Sequence, residues 1–219
     1  MINFDKLVEM HLTKEQKAKQ IGRYYPSEIG SCMRKTWYSY KYPQQVSMDL
    51  LKIFEAGNMV HDFVVRVFKS EKNKNVELVK EEMPFKFEGD GFIISGRIDD
   101  LVLLKENGKQ VLVEVKSAKT IKGMEKAKLS NELQLILYMH ILNIPDGVLL
   151  YVDKTNLQSK VFVIPYDKKR GEQIIERFKQ LDVSLKSNLL PEAEGKQIED
   201  LNWMCSFCEY VGKCDKNES

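Results

Sequence analysis

Gly96-Arg97-Ile98-Asp99-Asp100-Leu101-Val102-Leu103-Leu104, a turn at Glu106-Asn107-Gly108-Lys109, and then Gln110-Val111-Leu112-Val113-Glu114-Val115-Lys116 decide the fold. Two apolar runs flank an Asn-Gly turn, which is the pattern of paired antiparallel strands. Side chains alternate between the two faces of a strand. Val111, Val113 and Val115 therefore point one way, and Leu112, Glu114 and Lys116 the other. Only one of Asp99 and Asp100 can share the face of Glu114. With so short a turn the strands are neighbours, and a carboxylate from each converges.

Two converging carboxylates make a hard, oxygen-rich site suited to Mg²⁺ or Mn²⁺. Such an ion polarises a phosphoryl oxygen and lowers the pKa of a bound water. Lys116, on the same face, can orient that water or stabilise developing charge. The pattern suits metal-assisted hydrolysis of a phosphodiester. A Glu-x-Lys pair by itself is common on solvated hairpins. Here it follows Val111-Leu112-Val113, so the strand is central, and charges at its end need a partner or a purpose.

Outward from this hairpin, residues 76–87 alternate as a further strand before the turn Gly89-Asp90-Gly91, so 76–87, 92–104 and 110–118 form a meander. Residues 126–143 read as an apolar helix ended by Pro145-Asp146-Gly147, followed by strands at 148–152 and 160–164 and an amphipathic helix at 167–188. Upstream, helical patterns cover 4–21, 28–41 and 49–69, the last with Asp49 as N-cap and Gly57 as a break or a close approach. A meander, a crossover helix, a strand pair and flanking helices predict an α/β fold bordering on α+β, with a mixed sheet.

Composition bounds the function. The chain has 219 residues, 43% hydrophobic and 30% charged, with 34 Lys and Arg against 32 Asp and Glu, a net charge of +2. That excludes wholesale disorder and a broadly cationic surface, so a nucleic-acid site must be a local cleft. No apolar run approaches the roughly 18–20 residues of a membrane span. The start, Met1-Ile2-Asn3-Phe4-Asp5-Lys6, lacks the basic and apolar regions of a signal peptide, and a cytoplasmic, membrane-free protein is expected. The four cysteines are Cys32, Cys205, Cys208 and Cys214. In a reducing compartment they read as metal ligands, with Cys32 closing a clasp between the two ends of the chain. Their spacing fits Zn²⁺ or an iron–sulfur cluster, and a redox dithiol at Cys205 and Cys208 is the plainer alternative.

The order His61 (in Gly57-Asn58-Met59-Val60-His61-Asp62), Asp99, Glu114-x-Lys116 and Gln134-x-x-x-Tyr138 resembles the RecB-like branch of the restriction-endonuclease-like PD-(D/E)xK nucleases. The resemblance implies that core, a mixed sheet flanked by helices. It implies His61, Asp99, Glu114 and the Val115 carbonyl as metal ligands, Lys116 as the catalytic lysine, and Gln134 and Tyr138 as supports that contact DNA. Asp99 takes the aspartate role because the family pattern is Gly-x-x-Asp, so Asp100 is expected to face away. One upstream cysteine and a Cys-x2-Cys-x5-Cys tail resemble the CRISPR-associated Cas-four family, in which four cysteines hold a 4Fe-4S cluster.

That likeness implies one nuclease domain, with an N-terminal helical part at 1–48, a core at 49–188 and a cysteine segment at 189–219. It implies a Mn²⁺- or Mg²⁺-dependent exonuclease on single-stranded DNA ends, 5′ to 3′ and also endonucleolytic, in CRISPR adaptation with integrase partners. A DNA repair nuclease outside CRISPR systems, or a silent DNA-end-binding subunit, is the alternative. Arg23, Tyr24, Tyr25, Arg34, Lys35, Trp37, Tyr38, Lys119 and Lys122 supply a basic and aromatic mixture for a strand, or pack the core and coat loops.

Overall fold

The structure, a computed structural model, describes residues 1–13 and 18–218. Its helices are α1 (Phe4–Leu12), α2 (Met33–Lys41), α3 (Met48–Phe68), α4 (Leu129–Leu142), α5 (Lys168–Lys186), α6 (Glu194–Gln197) and α7 (Val211–Asp215). Its strands are β1 (Arg23–Tyr24), β2 (Val76–Glu88), β3 (Ile93–Leu104), β4 (Lys109–Ala118), β5 (Asp146–Asp153) and β6 (Ser159–Pro165). Turns of 3₁₀ helix occupy Pro26–Glu28 and Glu199–Phe207.

The described strands form one six-stranded mixed sheet. β2 pairs antiparallel with β3 along nearly its whole length, from Val76 opposite Leu104 to Glu88 opposite Ile93. A strand has two edges, so β4 and β1 must divide the other one. β4 takes Asp100 to Leu104, antiparallel, with Asp100 opposite Val113. β1 takes Ile93 and Ile94, parallel. Residues 95–99 of β3 therefore have no strand on that edge, and the sheet opens beside Asp99. β4 continues past the split and pairs in parallel with β5 through the α4 crossover, and β6 closes the sheet antiparallel to β5.

Each face is covered. α3 lays Val60 and Val64 on Val102, Val111, Val113, Val115 and Val152. α4 lies on the opposite face with Leu135, Ile136, Leu137 and Met139 against Leu101, Leu112 and Leu149. α5 caps that layer through Ile174, Phe178, Leu181 and Leu185. α4 is apolar on nearly all sides because it lies between the sheet and α5, as a doubly covered helix must. Leu112 is fully buried between them, so Leu112→Ala would cost about 2–5 kcal/mol.

The meander and both later helices fall where the pattern placed them, and several boundaries move for identifiable reasons. Ser47, not Asp49, caps α3, its side chain accepting from the Leu50 N–H at 3.3 Å. Gly57 does not interrupt α3. Nor does it mark a close approach, since a Cβ there would meet only Ser117 Oγ on β4, at an ordinary contact distance of 3.5 Å. The helix expected over 28–41 begins only at Met33. Before it, the chain crosses the start of α4 so closely that a Cβ on Gly30 would meet Ser130 Cβ at 2.3 Å. Asn143, in the left-handed region at φ 55°, terminates α4, and Asp146 and Gly147 already belong to β5. The expected first helix ends at Leu12, and the part of that expectation over 14–17 lies outside the described residues.

Candidate active site

Glu114 and Lys116 sit on the α4 face of β4, two residues apart, where the pleat brings their side chains together. Lys116 Nζ donates to Glu114 Oε1 at 2.6 Å and to Gln134 Oε1 at 3.2 Å. Gln134 Nε2 donates to Tyr138 Oη at 2.8 Å, and Tyr138 donates in turn to the Arg97 carbonyl at 3.1 Å. Gln134 and Tyr138 are one turn apart on α4, so one helix face carries both. The chain of bonds anchors the lysine to the unpaired stretch of β3. Asp99 closes the same edge from the other side. β3 and β4 part after Asp100 and Val113, and the Asp99 Oδ2 accepts the Val115 N–H at 2.8 Å.

His61 does not join Asp99 and Glu114 as it stands. It sits on α3 and faces Asp100, with Nε2 and Oδ2 3.4 Å apart. As expected, Asp100 faces away from Glu114; the face it turns to is the one α3 covers. The local cause lies in β3. Ile94, Ile98 and Leu101 share one core cluster, so the in–out alternation slips by one between Ile98 and Leu101, and Asp99 and Asp100 take up the slip. Opposite them on β2, Glu82 lies at φ 43°, a left-handed conformation rare for such a residue, and its carboxylate pairs with Arg97 at 2.7 Å.

Ionisable groups are buried together around this edge of the sheet. Glu114 is 2% exposed and Asp100 0% exposed. Burial, and then the charge of Asp99, push the Glu114 carboxyl up to about 7, although Lys116 offsets part of this. Burial likewise raises Asp99 against the Val115 N–H, His61 and Lys116. His61 is pushed up to about 9, chiefly by Asp100 and against the effect of burial. Burial opposes the charge on Lys116, but Glu114 outweighs it and holds the ammonium above its ordinary value. Among the described residues, four buried side-chain polar atoms have no hydrogen-bond partner: His61 Nε2, both Asp100 carboxylate oxygens and Glu114 Oε2. Buried charges without partners are costly and normally find a counter-charge or a metal. Among the described residues no three His, Cys, Asp or Glu side chains are already gathered around one point. The donor chemistry, imidazole and carboxylate oxygen, nonetheless fits Mn²⁺ or Mg²⁺.

The four cysteines line one cavity, together with Ala193, Gly195 and Met204. Cys32 precedes α2, while Cys205, Cys208 and Cys214 belong to the last turns. Side chains lock the two ends of the chain around them. Glu194 accepts the Met33 N–H at 2.7 Å and pairs with Arg177. Arg34 donates to the Pro191 carbonyl at 2.7 Å and to Asn217 at 2.6 Å. Tyr38 stacks on Tyr210 with ring centroids 5.5 Å apart. A Cβ on Gly195 would lie 2.9 Å from Cys205 Sγ, so the backbone there is drawn in against the sulfur. Burial raises Cys205 and Cys208, with the neighbouring cysteines adding to the effect on Cys205. The four thiols share this cavity, although among the described residues no three of them are gathered around one point; four sulfur donors are chemically suited to Zn²⁺ or an iron–sulfur centre.

A groove of about 310 Å³ runs from Lys116 and Gln134 past Asn131 and Lys35 to Trp203, Met204 and Phe207. Trp203 is 53% and Phe207 79% exposed. These two aromatics were not singled out from sequence, although their position on either side of Cys205 was a usable signal. Of the residues that were, Lys35 lines the groove, while Tyr24, Trp37 and Tyr38 are fully buried and Arg34 is spent on the clasp. Tyr24 is held by Asp182 at 2.8 Å and Trp37 by the Ser184 carbonyl at 3.2 Å. They are core residues, not stacking platforms.

Among the described residues no helix is long and apolar enough to cross a membrane. A family model for the PD-(D/E)XK nuclease superfamily matches residues 11–215. The CRISPR-associated exonuclease Cas4 of Saccharolobus solfataricus is 22% identical over 210 residues, 95% of this chain and 94% of that protein. The crystal structure of SSO0001 superimposes with a TM-score of 0.63 at 21% identity, covering 98% of this chain and 95% of that one. The alkaline exonuclease LHK-Exo of Laribacter hongkongensis follows with a TM-score of 0.54 at 14% identity, covering 77% and 90%. The chain belongs to the PD-(D/E)XK nuclease superfamily.

Proposed function

We propose that this PD-(D/E)XK nuclease is a Mn²⁺- or Mg²⁺-dependent exonuclease that trims single-stranded DNA ends, 5′ to 3′ and with endonucleolytic action. Its four cysteines carry a 4Fe-4S cluster. The observation that carries the reading is the Glu114–Lys116 pair, wired to Gln134 and Tyr138, at the end of a groove walled by Trp203 and Phe207. His61, Asp99, Glu114 and the Val115 carbonyl would hold the ion. When bound, it would polarise the scissile phosphate and acidify a water. Lys116 has three N–H donors, of which Glu114 and Gln134 take two. The third is free to reach the attacking water or a phosphoryl oxygen, and the Gln134–Tyr138–Arg97 chain fixes its direction. Trp203 and Phe207 offer faces on which unpaired bases can stack, a mode that tolerates any sequence.

The likeness to a CRISPR-associated exonuclease over nearly the whole chain supports a role in trimming DNA before spacer integration, beside integrase proteins in the cytoplasm. The test is a time course on single-stranded DNA labelled in parallel at either end, with anaerobically purified protein in Mn²⁺, Mg²⁺ or EDTA. Metal-dependent digestion that Asp99→Ala and Glu114→Ala lack is the expected result, and the ladders give the polarity. Digestion that survives both substitutions overturns the residue assignment. Absence of digestion by folded, metal-replete protein favours a silent end-binding subunit. Brown colour with broad absorption near ~400 nm identifies the cluster, whereas a colourless protein with stoichiometric zinc overturns it alone.

A further inference from the structure

We propose that Asp100, the residue just outside the Gly96-x-x-Asp99 motif, is itself a ligand of the divalent ion, seated beside His61. The inference deepens the nuclease reading and rests on it. Asp100 is wholly buried, and neither of its carboxylate oxygens has a hydrogen-bond partner. Its surroundings are the valines that α3 packs on the sheet, with Val102 two residues along β3 and Val113 directly across on β4. A carboxylate in such a place is tolerated only with a compensating charge.

His61 pairs with it at ion-pair distance, yet without an aligned hydrogen bond, Nε2 and Oδ2 standing 3.4 Å apart. Even a perfected bond would satisfy one oxygen and leave Oδ1 bare. Adjacent donors on an octahedral ion, each about 2.1–2.2 Å from it, lie roughly 3.0–3.1 Å from one another. The His61–Asp100 gap matches two neighbouring ligands a few tenths of an ångström short of closing on an ion. The other aspartate is differently employed, since one Asp99 oxygen is already held by the Val115 N–H at 2.8 Å. Glu114 has one oxygen on Lys116 and the other unpartnered. The slip in β3 that turns Asp100 toward α3 thus delivers a carboxylate to the histidine that the motif residue does not reach as it stands.

The test reads metal binding, so a failure to cut DNA leaves it unaffected. Chelator-stripped protein is titrated with Mn²⁺ by calorimetry, using wild type, Asp100→Asn, His61→Asn and the double variant. A ligand loses affinity in its own right. The expected result is at least a tenfold weaker Mn²⁺ affinity from Asp100→Asn both with His61 present and with His61→Asn. A tenfold loss seen only when His61 is present would overturn the proposal, because Asp100 would then act by orienting His61 alone. A loss under tenfold with His61 present would overturn it outright. Asp100→Ser replaces the amide variant if that one does not fold.

Discussion

Metal-free protein should lose stability as the pH rises from 5 to 8, and Glu114 should account for much of the loss. The carboxyl is 2% exposed and pushed up to about 7 by burial and by Asp99, with Lys116 recovering only part. An unfolded glutamate titrates near ~4.3. The folded value lies above the unfolded one, so the native state holds this proton more tightly. Its stabilising contribution is full below the unfolded value and is lost as the pH climbs through about 7. Between pH 5 and 8 the two titration curves differ by roughly 2.5 kcal/mol. In a chain of this length that corresponds to a melting temperature lower by about 5–10 °C.

His61 pulls the same way over a different window. It is pushed up to about 9 mainly by Asp100, so the stability it confers is full below ~6.5 and fades as the pH passes through about 9. Wild type and Glu114→Gln share that histidine, so their difference reads Glu114 together with its coupling to Asp99, Lys116 and His61. Chemical denaturation of both in EDTA at pH 5 and pH 8 is the assay. Wild type should lose about 2–3 kcal/mol more than Glu114→Gln across that range, and Mn²⁺ should restore wild type at pH 8 but not the variant. Parallel pH curves, or a variant less stable than wild type at pH 8, would refute the reasoning that Glu114 is a buried charge awaiting a cation.

Three further outcomes follow from single contacts. Lys116→Ala should slow DNA hydrolysis by roughly 10²–10⁴ while leaving Mn²⁺ affinity equal or tighter, because a cation competing for Glu114 is gone. Tyr138→Phe cuts the link from Gln134 to the Arg97 carbonyl, and steady-state kinetics should show a lower kcat at an unchanged KM. Trp203→Ala and Phe207→Ala should each weaken single-stranded DNA binding by about 5–100-fold in fluorescence anisotropy, the range for one lost stacking contact, with little change in kcat at saturation.

The hairpin around Glu106-Asn107-Gly108-Lys109 was legible because period-two alternation and the turn say the same thing there. α4 was legible from its apolar run, and the Gln134–Tyr138 pair from helical spacing. Three things were not. The start of α2 escaped because it depends on Gly30 passing Ser130, a contact between residues a hundred positions apart. The buried state of Tyr24, Trp37 and Tyr38 escaped because aromatics near basic residues look alike whether they stack on bases or on Tyr210 and Phe178. The contact between Asp100 and His61 escaped because alternation tells which face a residue takes but not which helix covers that face, and only the clustering of Ile98 with Leu101 exposes the slip in β3.

The clasp and the catalytic end of the sheet belong to one problem in geometry. A nuclease built on β4 alone exposes Lys116 at the rim of an open sheet, with nothing to hold a flexible strand in line for attack. The 3₁₀ segment Glu199–Phe207 supplies the missing wall, with Trp203 and Phe207 exposed on it. It packs on α6, and its Met204 and Cys205 line the cysteine cavity, so a centre held there would help fix it. Gly195 tests this dependence. Gly195→Val places a side chain 2.9 Å from Cys205 Sγ in the cysteine cavity and touches none of the proposed divalent-ion ligands. On the proposed cluster assignment it should lower bound iron and raise the KM for single-stranded DNA together, while Mn²⁺ affinity measured by calorimetry stays within twofold. If iron is lost and KM does not move, the wall stands without the clasp, and the cysteines serve stability alone.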